Sequence, residues 1–415
     1  MARRTGSADL PLHNGRVPHW LGRRMASLGA IMTQAIVHHY GREEFLQRLA
    51  HPFWFQSFGA VMGMDWHSSG ITTSVIGALK RGLAPLEGEL GIYVCGGRGQ
   101  HSRKTPDELK ALGDRIGIDS DRLTRASRLV AKVDSAAVQD GFDLYLHGFF
   151  VTADGKWTVV QQGMNGDSRQ ARRYHWHSGA LTSFVEEPHS AIDGVAQGDI
   201  INLTDRRADK SRAAQLDLLG DLGPDRIVAE FEALHKTSPP QLALPHLIMP
   251  AHHDVRPKDV FARRLHGTLA AAAERAPVDF AELLLNPGVG ARTVRSLAMV
   301  AEVVHGAPYR FQDPARFSLA HGGKDRHPYP VPLKVYDETI RVLKSAVQNA
   351  KLGRDEEMGA LKRLDDQARL LERTAQGPSV QSFIAGERLA SPDLDGRSVF
   401  GWESEIQAAK RGRTS

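Results

Sequence analysis

A glycine hairpin between two apolar helices is the segment of this sequence whose residue types best fit a chemical task, which is holding an anion. Residues 286–290 read Asn-Pro-Gly-Val-Gly and separate the apolar segment 280–285 from a helical pattern over 291–304. Proline and glycine end the first helix and permit a tight turn. The second helix then begins with unpaired amides at the positive end of its dipole, which together form a phosphate site.

Basic residues next to this hairpin point to a nucleic-acid backbone as the ligand, because phosphate contacts come from cations and helix N-termini. A second basic segment, 96–104, places glycines and cations ahead of a predicted helix and is also suited to phosphate. The residues that we expect to contact nucleic acid are Gly288, Val289, Gly290, Arg292, Thr293, Arg295, Arg98, Arg103, Lys104 and Lys324.

The hairpin resembles the helix-hairpin-helix motif of DNA repair proteins, whose core is Pro-Gly-Val-Gly between two helices. In the base-excision glycosylase branch, a catalytic aspartate follows the second helix and a Gly-Pro-containing turn, and Asp313 stands there in this chain. Bifunctional members carry a lysine where this chain has Arg292, so the resemblance implies a monofunctional DNA glycosylase without a cofactor. Asp313 could equally cap a helix that begins at Pro314, with the hairpin serving as a passive DNA grip.

A cluster of histidines and acids in the N-terminal half supports a different hypothesis, a metal-dependent, structure-specific DNA nuclease. Asp65 and His67 could act as a base and its orienting group. In a strand, His175 and His177 share one face, and with His147 they could hold a divalent metal. The same residues could also be hydrogen-bonded structural histidines, in which case the protein would be a non-catalytic DNA-binding protein.

Three further segments supply candidate pocket residues. Gln161, Gln162 and Asn165 end a predicted strand, and their side-chain amides suit the edge of a base, although they could also satisfy local backbone groups. His321 and Lys324 lie in a segment rich in glycine, proline and ionisable residues beyond Asp313. We expect this segment either to line a pocket or to form a surface turn.

Composition limits the class of protein. The 415 residues are 41% hydrophobic and carry a formal charge of +5, with basic clusters at 98–104, 169–173, 206–212 and 292–295. These features favour a polyanion partner, and we expect double-stranded DNA. No apolar run reaches the ~20 residues of a membrane span, so we expect no membrane and a cytoplasmic, nucleoid-associated location. The single cysteine, Cys95, excludes an intrachain disulfide and a cysteine-bound cluster.

The elements that must position these residues indicate an α+β protein. The sequence predicts helices in the first ~85 residues and strands at 90–95, 142–151, 156–162, 173–177 and 182–186. It predicts helices at 255–276, 280–285, 291–304 and 332–350, after a polar boundary near 205–222. We therefore predict an N-terminal α/β domain over 1–210, an all-helical helix-hairpin-helix domain over 223–352, and a charged helical extension and tail over 353–415.

A second resemblance covers nearly the whole chain to about residue 350. Segments 5–13, 53–56, 65–70, 102–106, 161–165 and 320–325 resemble a prokaryotic family of domains of unknown function, number seven-six-three. The resemblance implies relatedness and assigns no activity.

Overall fold

The computed structural model describes residues 19–64, 70–166, 170–236 and 262–315, with short stretches at 341–342, 344–348, 358–359, 362, 397–398 and 401–402. The helices are α1 (His19–Tyr40), α2 (Arg42–Leu49), α3 (Pro52–Val61), α4 (Gly70–Leu83), α5 (Glu87–Leu90), α6 (Gln100–Arg103), α7 (Thr105–Ile116), α8 (Ser120–Lys132), α9 (Asp209–Asp221), α10 (Gly223–Lys236), α11 (Ala262–Arg275), α12 (Phe280–Leu285) and α13 (Ala291–His305). The strands are β1 (Ile92–Arg98), β2 (Val138–Gln139), β3 (Asp143–Thr152), β4 (Trp157–Asn165), β5 (Gln170–His177), β6 (Ala191–Asp193), β7 (Asp199–Asn202), β8 (Arg310–Gln312), β9 (Arg397–Ser398) and β10 (Gly401–Trp402).

A five-stranded antiparallel sheet in the order β1-β3-β4-β5-β6 lies between two layers of helices. Successive side chains of a strand point to opposite faces. Phe150 and Val160 pack into a core with α1 to α4, whereas Phe149 and Val159 pack into a second core with α7 and α8. Both faces of the sheet are therefore buried, and any polar residue on its inner strands needs a partner inside the protein.

Close contact between α4 and the sheet depends on a glycine of β3. A Cβ on Gly148 would lie 2.7 Å from Cδ1 of Ile76, so only glycine admits the α4 side chain at that depth. α3 lies against the same face and is buried along its whole length, which explains its apolar and aromatic composition. The first helices thus form one face layer, as the apolar spacing in the sequence predicts.

The second half of the chain packs directly on the second core. α12 packs against α8, and α13 packs against α9, with Leu218 and Leu284 in the same apolar cluster as Phe149. β8 pairs with β7, and β7 pairs with β2, so residues 310–312 complete a sheet begun in the first half. The prediction of an all-helical second half is therefore wrong at β8, and the apolar core is continuous across the predicted domain boundary.

Other elements test the sequence predictions individually. The β3–β4 hairpin, α12 and α13 are confirmed with bounds within a few residues of those predicted. The strand predicted at 182–186 is wrong, because this segment is irregular and the edge strand is β6. The predicted boundary at 205–222 contains α9, a helix packed on α13. Among the described helices, none combines the length and apolar character needed to cross a membrane.

Candidate nucleic-acid interface

The hairpin of residues 286–290 forms as the sequence predicts and projects Pro287 and Gly288 to the surface. Gly288 has φ +86°, a left-handed backbone conformation that favours glycine. A Cβ there would also lie 3.1 Å from Oγ1 of Thr268 on α11, so glycine is required for both backbone and packing. Val289 points inward and is buried in the core, which fixes the turn to the protein.

Gly290, the residue before α13, has no such internal requirement. Its φ of −152° is extended backbone that any residue adopts, and a Cβ built on it meets nothing within 4 Å. It supplies no side-chain cap to α13, whereas Asp119 caps α8 and Asp279 caps α12. The N-terminal turn of α13 thus has no side-chain cap, and its intrahelical bonding begins with Val294 N, which donates to Gly290 O at 3.0 Å.

A lysine outside the predicted contacts supports this turn. Lys132, the last residue of α8, donates from Nζ to the carbonyl oxygen of Val289. Burial lowers the pKa of Lys132, because its stem is packed between α8 and the hairpin. Asn286 Nδ2 is also buried here and has no hydrogen-bond partner within the described residues. The hairpin is therefore anchored to α8 from beneath, while Pro287 and Gly288 are exposed.

The predicted contacts on α13 divide into outer and inner residues. Arg292 is exposed beside the hairpin, and Thr293 is buried. Arg295 is directed inward, and its Nε donates to Gln139 Oε1 at 3.0 Å. Burial lowers the pKa of Arg295 to about 10. The prediction that Arg295 contacts nucleic acid is not supported by this geometry, because its guanidinium braces α13 against β2.

Asp313, the predicted catalytic aspartate, lies inside a closed ion pair. Its two oxygens accept from Arg172, at 3.0 Å for Oδ1–Nη1 and 2.6 Å for Oδ2–Nη2, and both side chains are 0% exposed. The amides of Gln197 and Ala315 donate to the same carboxylate at 2.8 and 3.0 Å. Every acceptor direction is thereby used, and the geometry favours a structural role for Asp313 over the predicted catalytic one.

A second carboxylate completes this cluster. Arg172 Nη1 donates to Asp140 Oδ2 at 2.7 Å, and Tyr174 donates its hydroxyl to the same oxygen at 2.7 Å. The ring of Phe142 lies 4.6 Å from the guanidinium carbon. Burial raises the pKa of Asp140 despite these donors. Arg172 belongs to the predicted basic cluster 169–173 but is fully buried, so it does not contribute to a basic surface.

The three histidines proposed as metal ligands do not converge. His147 projects toward α8, where Nε2 lies 3.0 Å from Ser127 Oγ and Nδ1 lies 2.6 Å from Gln161 Oε1. An amide oxygen only accepts, so Nδ1 carries the proton and Nε2 accepts from the serine hydroxyl. Gln161 Nε2 donates in turn to Asp134 at 2.5 Å. Burial lowers the pKa of His147, which is neutral within this closed relay.

The other two histidines occupy the opposite face of the sheet. His175 has Nδ1 3.0 Å from the Leu49 carbonyl oxygen, and its Nε2 accepts from Arg173 Nε at 2.9 Å. His177 Nδ1 lies 3.0 Å from Thr158 Oγ1. The metal set of His147, His175 and His177 is therefore wrong, since the sheet separates its members. Across the described ranges no group of three His, Cys, Asp or Glu side chains could hold a metal.

The side-chain amides predicted to line a pocket are also divided. Gln161 is committed to the relay on the α8 face, whereas Gln162, the next residue of β4, points to the α1–α4 face. Asn165 is buried at the end of the same strand. These three amides do not present one surface to a base. The candidates Asp65, His67, His321 and Lys324 lie outside the described residues.

The basic segment 98–104 is exposed but does not cradle an anion with its glycines. The amide of Gly96 donates to Glu108 Oε2 at 2.7 Å, and Lys80 Nζ pairs with that carboxylate at 2.6 Å. An internal carboxylate thus occupies the position that a phosphate was predicted to take. Arg98, Arg103 and Lys104 nevertheless remain at the surface, where they can contact a backbone phosphate through their side chains.

Comparisons with known proteins bear on relatedness alone. No curated protein and no solved structure matches the chain. One family model matches residues 6–331, and its description is "Protein of unknown function (DUF763)". Because this match covers most of the 415 residues, the chain belongs to the DUF763 family, as the sequence resemblance predicts.

Proposed function

We propose that this protein binds the sugar-phosphate backbone of double-stranded DNA through the hairpin of residues 286–290. The observation that carries the proposal is the uncapped N-terminus of α13 at Gly290, a glycine that the fold itself does not require. A residue with an oxygen-bearing side chain would satisfy these amides internally. Glycine leaves them available to a phosphate, and Arg292 stands beside them.

Base excision is not part of this proposal. The resemblance assigns that chemistry to Asp313, and a carboxylate whose oxygens accept from Arg172 and two amides has no lone pair directed to a substrate. The nuclease alternative likewise lacks a converging metal set among the described residues. Backbone binding by amides and cations needs no cofactor, so we expect DNA affinity to survive a chelator.

The decisive variant is Gly290→Asp. Aspartate at this position caps α13, so the free energy of unfolding should stay the same or rise by a few tenths of a kcal/mol. Its carboxylate also occupies the amides and repels phosphate, so affinity for a short labelled duplex should fall by at least about tenfold. Fluorescence polarisation measures binding, and urea unfolding measures stability.

Gly88→Asp is the matched control. Gly88 is exposed on α5, and a Cβ there meets nothing within 4 Å, so the same charge is added away from the hairpin. This variant should keep the affinity of the unmodified chain. The proposal is overturned if the unmodified chain binds no duplex, or if Gly290→Asp is folded and binds DNA with unchanged affinity and salt dependence.

A further inference from the structure

A line of basic side chains on α8 runs toward the hairpin. Arg125 and Arg128 are exposed, and Lys132 is half-buried at the end of the same helix. Their spacing of three and four residues places them on one side of α8. With a rise of 1.5 Å per residue, Arg125 and Lys132 are about 10 Å apart along the helix axis. We refer to Arg125, Arg128 and Lys132 as the α8 ridge.

The α8 ridge is continuous with the hairpin. Lys132 donates to the carbonyl oxygen of Val289, and α8 packs directly against α12, the first helix of the hairpin unit. An anion on the outer amides of α13 is therefore close to the end of the ridge. This contact joins a helix of the first half of the chain to the hairpin of the second half.

The other end of the ridge approaches the exposed cations of segment 98–104. Thr124 Oγ1 donates to the carbonyl oxygen of Pro106 at 3.5 Å, so α8 touches the first turn of α7. Lys104 directly precedes α7, and Arg128 lies one helical turn beyond Thr124 on α8. The start of α7, which follows the basic segment, thus lies beside the first half of α8, and the hairpin lies at its other end.

Neighbouring acids and one further arginine limit the extent of this surface. Asp121 is exposed in the first turn of α8, and Asp107 is exposed in the first turn of α7. Arg122 is directed elsewhere, because its Nη2 donates to the carbonyl oxygen of Gly155 at 3.1 Å. The cationic part therefore begins at Arg125 and extends toward the hairpin.

We infer that the α8 ridge extends the hairpin interface, so that the backbone of one DNA duplex crosses both halves of the protein. The inference rests on the proposed function. Each strand of a duplex presents a phosphate about every 3.4 Å of helix axis, so Arg125 and Arg128 can each meet a phosphate, and Lys132 links them to the hairpin through Val289. Cations on flexible side chains contact phosphates without reading bases, and binding over the ridge is independent of sequence.

The test compares Arg125→Gln/Arg128→Gln with Arg23→Gln/Arg81→Gln in the full-length chain. Arg23 and Arg81 are exposed on α1 and α4, on the far side of the sheet, so the control removes the same charge elsewhere. Each phosphate contact contributes a slope of about −0.9 to log K against log salt. The ridge variant should therefore flatten the slope by about 1.8 and weaken duplex binding about tenfold at moderate salt. The control should leave the slope unchanged.

The outcomes separate this inference from the proposed function. If Gly290→Asp abolishes binding while the ridge variant matches its control, the ridge inference is overturned and the hairpin function stands. If the unmodified chain binds no duplex, both fail. Tighter binding to single-stranded DNA or to double-stranded RNA of the same length would also overturn the ridge as a DNA-duplex surface. The ridge inference is supported if the ridge variant, and not its control, flattens the salt dependence of duplex binding.

Discussion

The hairpin of residues 286–290 and the buried faces of the central sheet contain residue types of equal chemical promise, but the fold treats them in opposite ways. His147 and Gln161 on the sheet, and Asp313 paired with Arg172 of β5, are enclosed, and their side-chain nitrogen and oxygen atoms have internal partners. At the hairpin, α13 begins without a side-chain cap, and Pro287 and Gly288 are exposed. We therefore expect a binding role at the uncapped helix end and a structural role for the enclosed residues.

This difference has an energetic basis. A buried polar group without a partner costs roughly 1–3 kcal/mol, so internal hydrogen bonds stabilise the ionisable residues of the inner strands. An amide at an exposed helix end costs little, because water can serve it. Removing a buried group should therefore lower stability without altering DNA affinity. A change at the hairpin should instead alter DNA affinity without lowering stability.

The largest effect is expected for Asp313→Asn. Breaking a buried ion pair leaves the partner uncompensated and costs about 3–5 kcal/mol in the free energy of unfolding. The loss follows here because Arg172 is fully buried and would keep only Asp140. Urea unfolding measures it, with Asp279→Asn as control, since Asp279 is an exposed cap that asparagine replaces at little cost.

Asp313→Asn also tests the glycosylase interpretation, in which Asp313 is catalytic rather than structural. A catalytic Asp313 predicts normal stability with lost excision of modified bases from a duplex. A structural Asp313 predicts reduced stability, with the DNA affinity of the folded fraction unchanged. Measuring unfolding and duplex binding on the same preparation distinguishes the two results.

The second effect is expected for Asp134→Asn. Asp134 accepts from Gln161 Nε2 at 2.5 Å and from Trp176 Nε1 at 2.9 Å, and its other oxygen lies 2.5 Å from His189 Nε2. An asparagine amide would turn one acceptor into a donor facing a donor, so we expect a loss of about 2 kcal/mol. Unfolding with urea at neutral pH measures it, and an unchanged midpoint would show that the network is not a source of stability.

A third prediction concerns acid. Burial lowers the pKa of His51 to about 4, and burial also lowers the pKa of His147 and, together with Arg173, that of His175. These groups protonate first in the unfolded chain, so the free energy of unfolding should be level above pH 6.5 and fall below it. Each contributes up to about 1.4 kcal/mol per pH unit within its window.

One buried carboxyl acts with the opposite sign. Burial raises the pKa of Asp140 above 3.8, so its contribution to stability grows as pH falls through its folded-state pKa. Asp140→Asn should therefore make the free energy of unfolding fall more steeply as the pH decreases. His147→Asn should make it fall less steeply.

Local patterns in the sequence predicted the elements of the hairpin well. Proline and glycine mark the end of α12, and apolar spacing marks α13. The role of Asp313 could not be predicted in this way, because its partner Arg172 lies 141 residues earlier in the chain. Strand alternation places His175 and His177 on one face, but only the sheet order shows that His147 is on the other. Likewise, β8 is too short to recognise without its partner β7.

The α8 ridge, by contrast, was available from the sequence. Arg125, Arg128 and Lys132 are spaced as one side of a helix, although charge spacing alone is shared by any solvated helix face. Its link to the hairpin through Val289 required the structure. Periodicity thus reveals a charged face, and tertiary contact reveals which surface that face joins.

The smallest expected effect comes from a residue that connects the two regions. Gln139 is buried on β2, where Oε1 accepts from Arg295 and Nε2 donates to the carbonyl oxygen of Ala291 at 2.8 Å. It thereby holds the first turn of α13 in position. Gln139→Ala should cost about 1 kcal/mol of stability and weaken duplex binding about two- to threefold, because the amides are less well ordered.

Gln215→Ala supplies the comparison for that change. Gln215 is equally buried on α9, and its amide donates to Ser211 Oγ of the same helix rather than to α13. Both variants should lose stability, but only Gln139→Ala should lose affinity when each is measured well below its unfolding transition. Equal affinity in the two would show that the buried sheets and the exposed hairpin act independently. A selective loss would show instead that buried hydrogen bonds contribute to binding by fixing the geometry of α13.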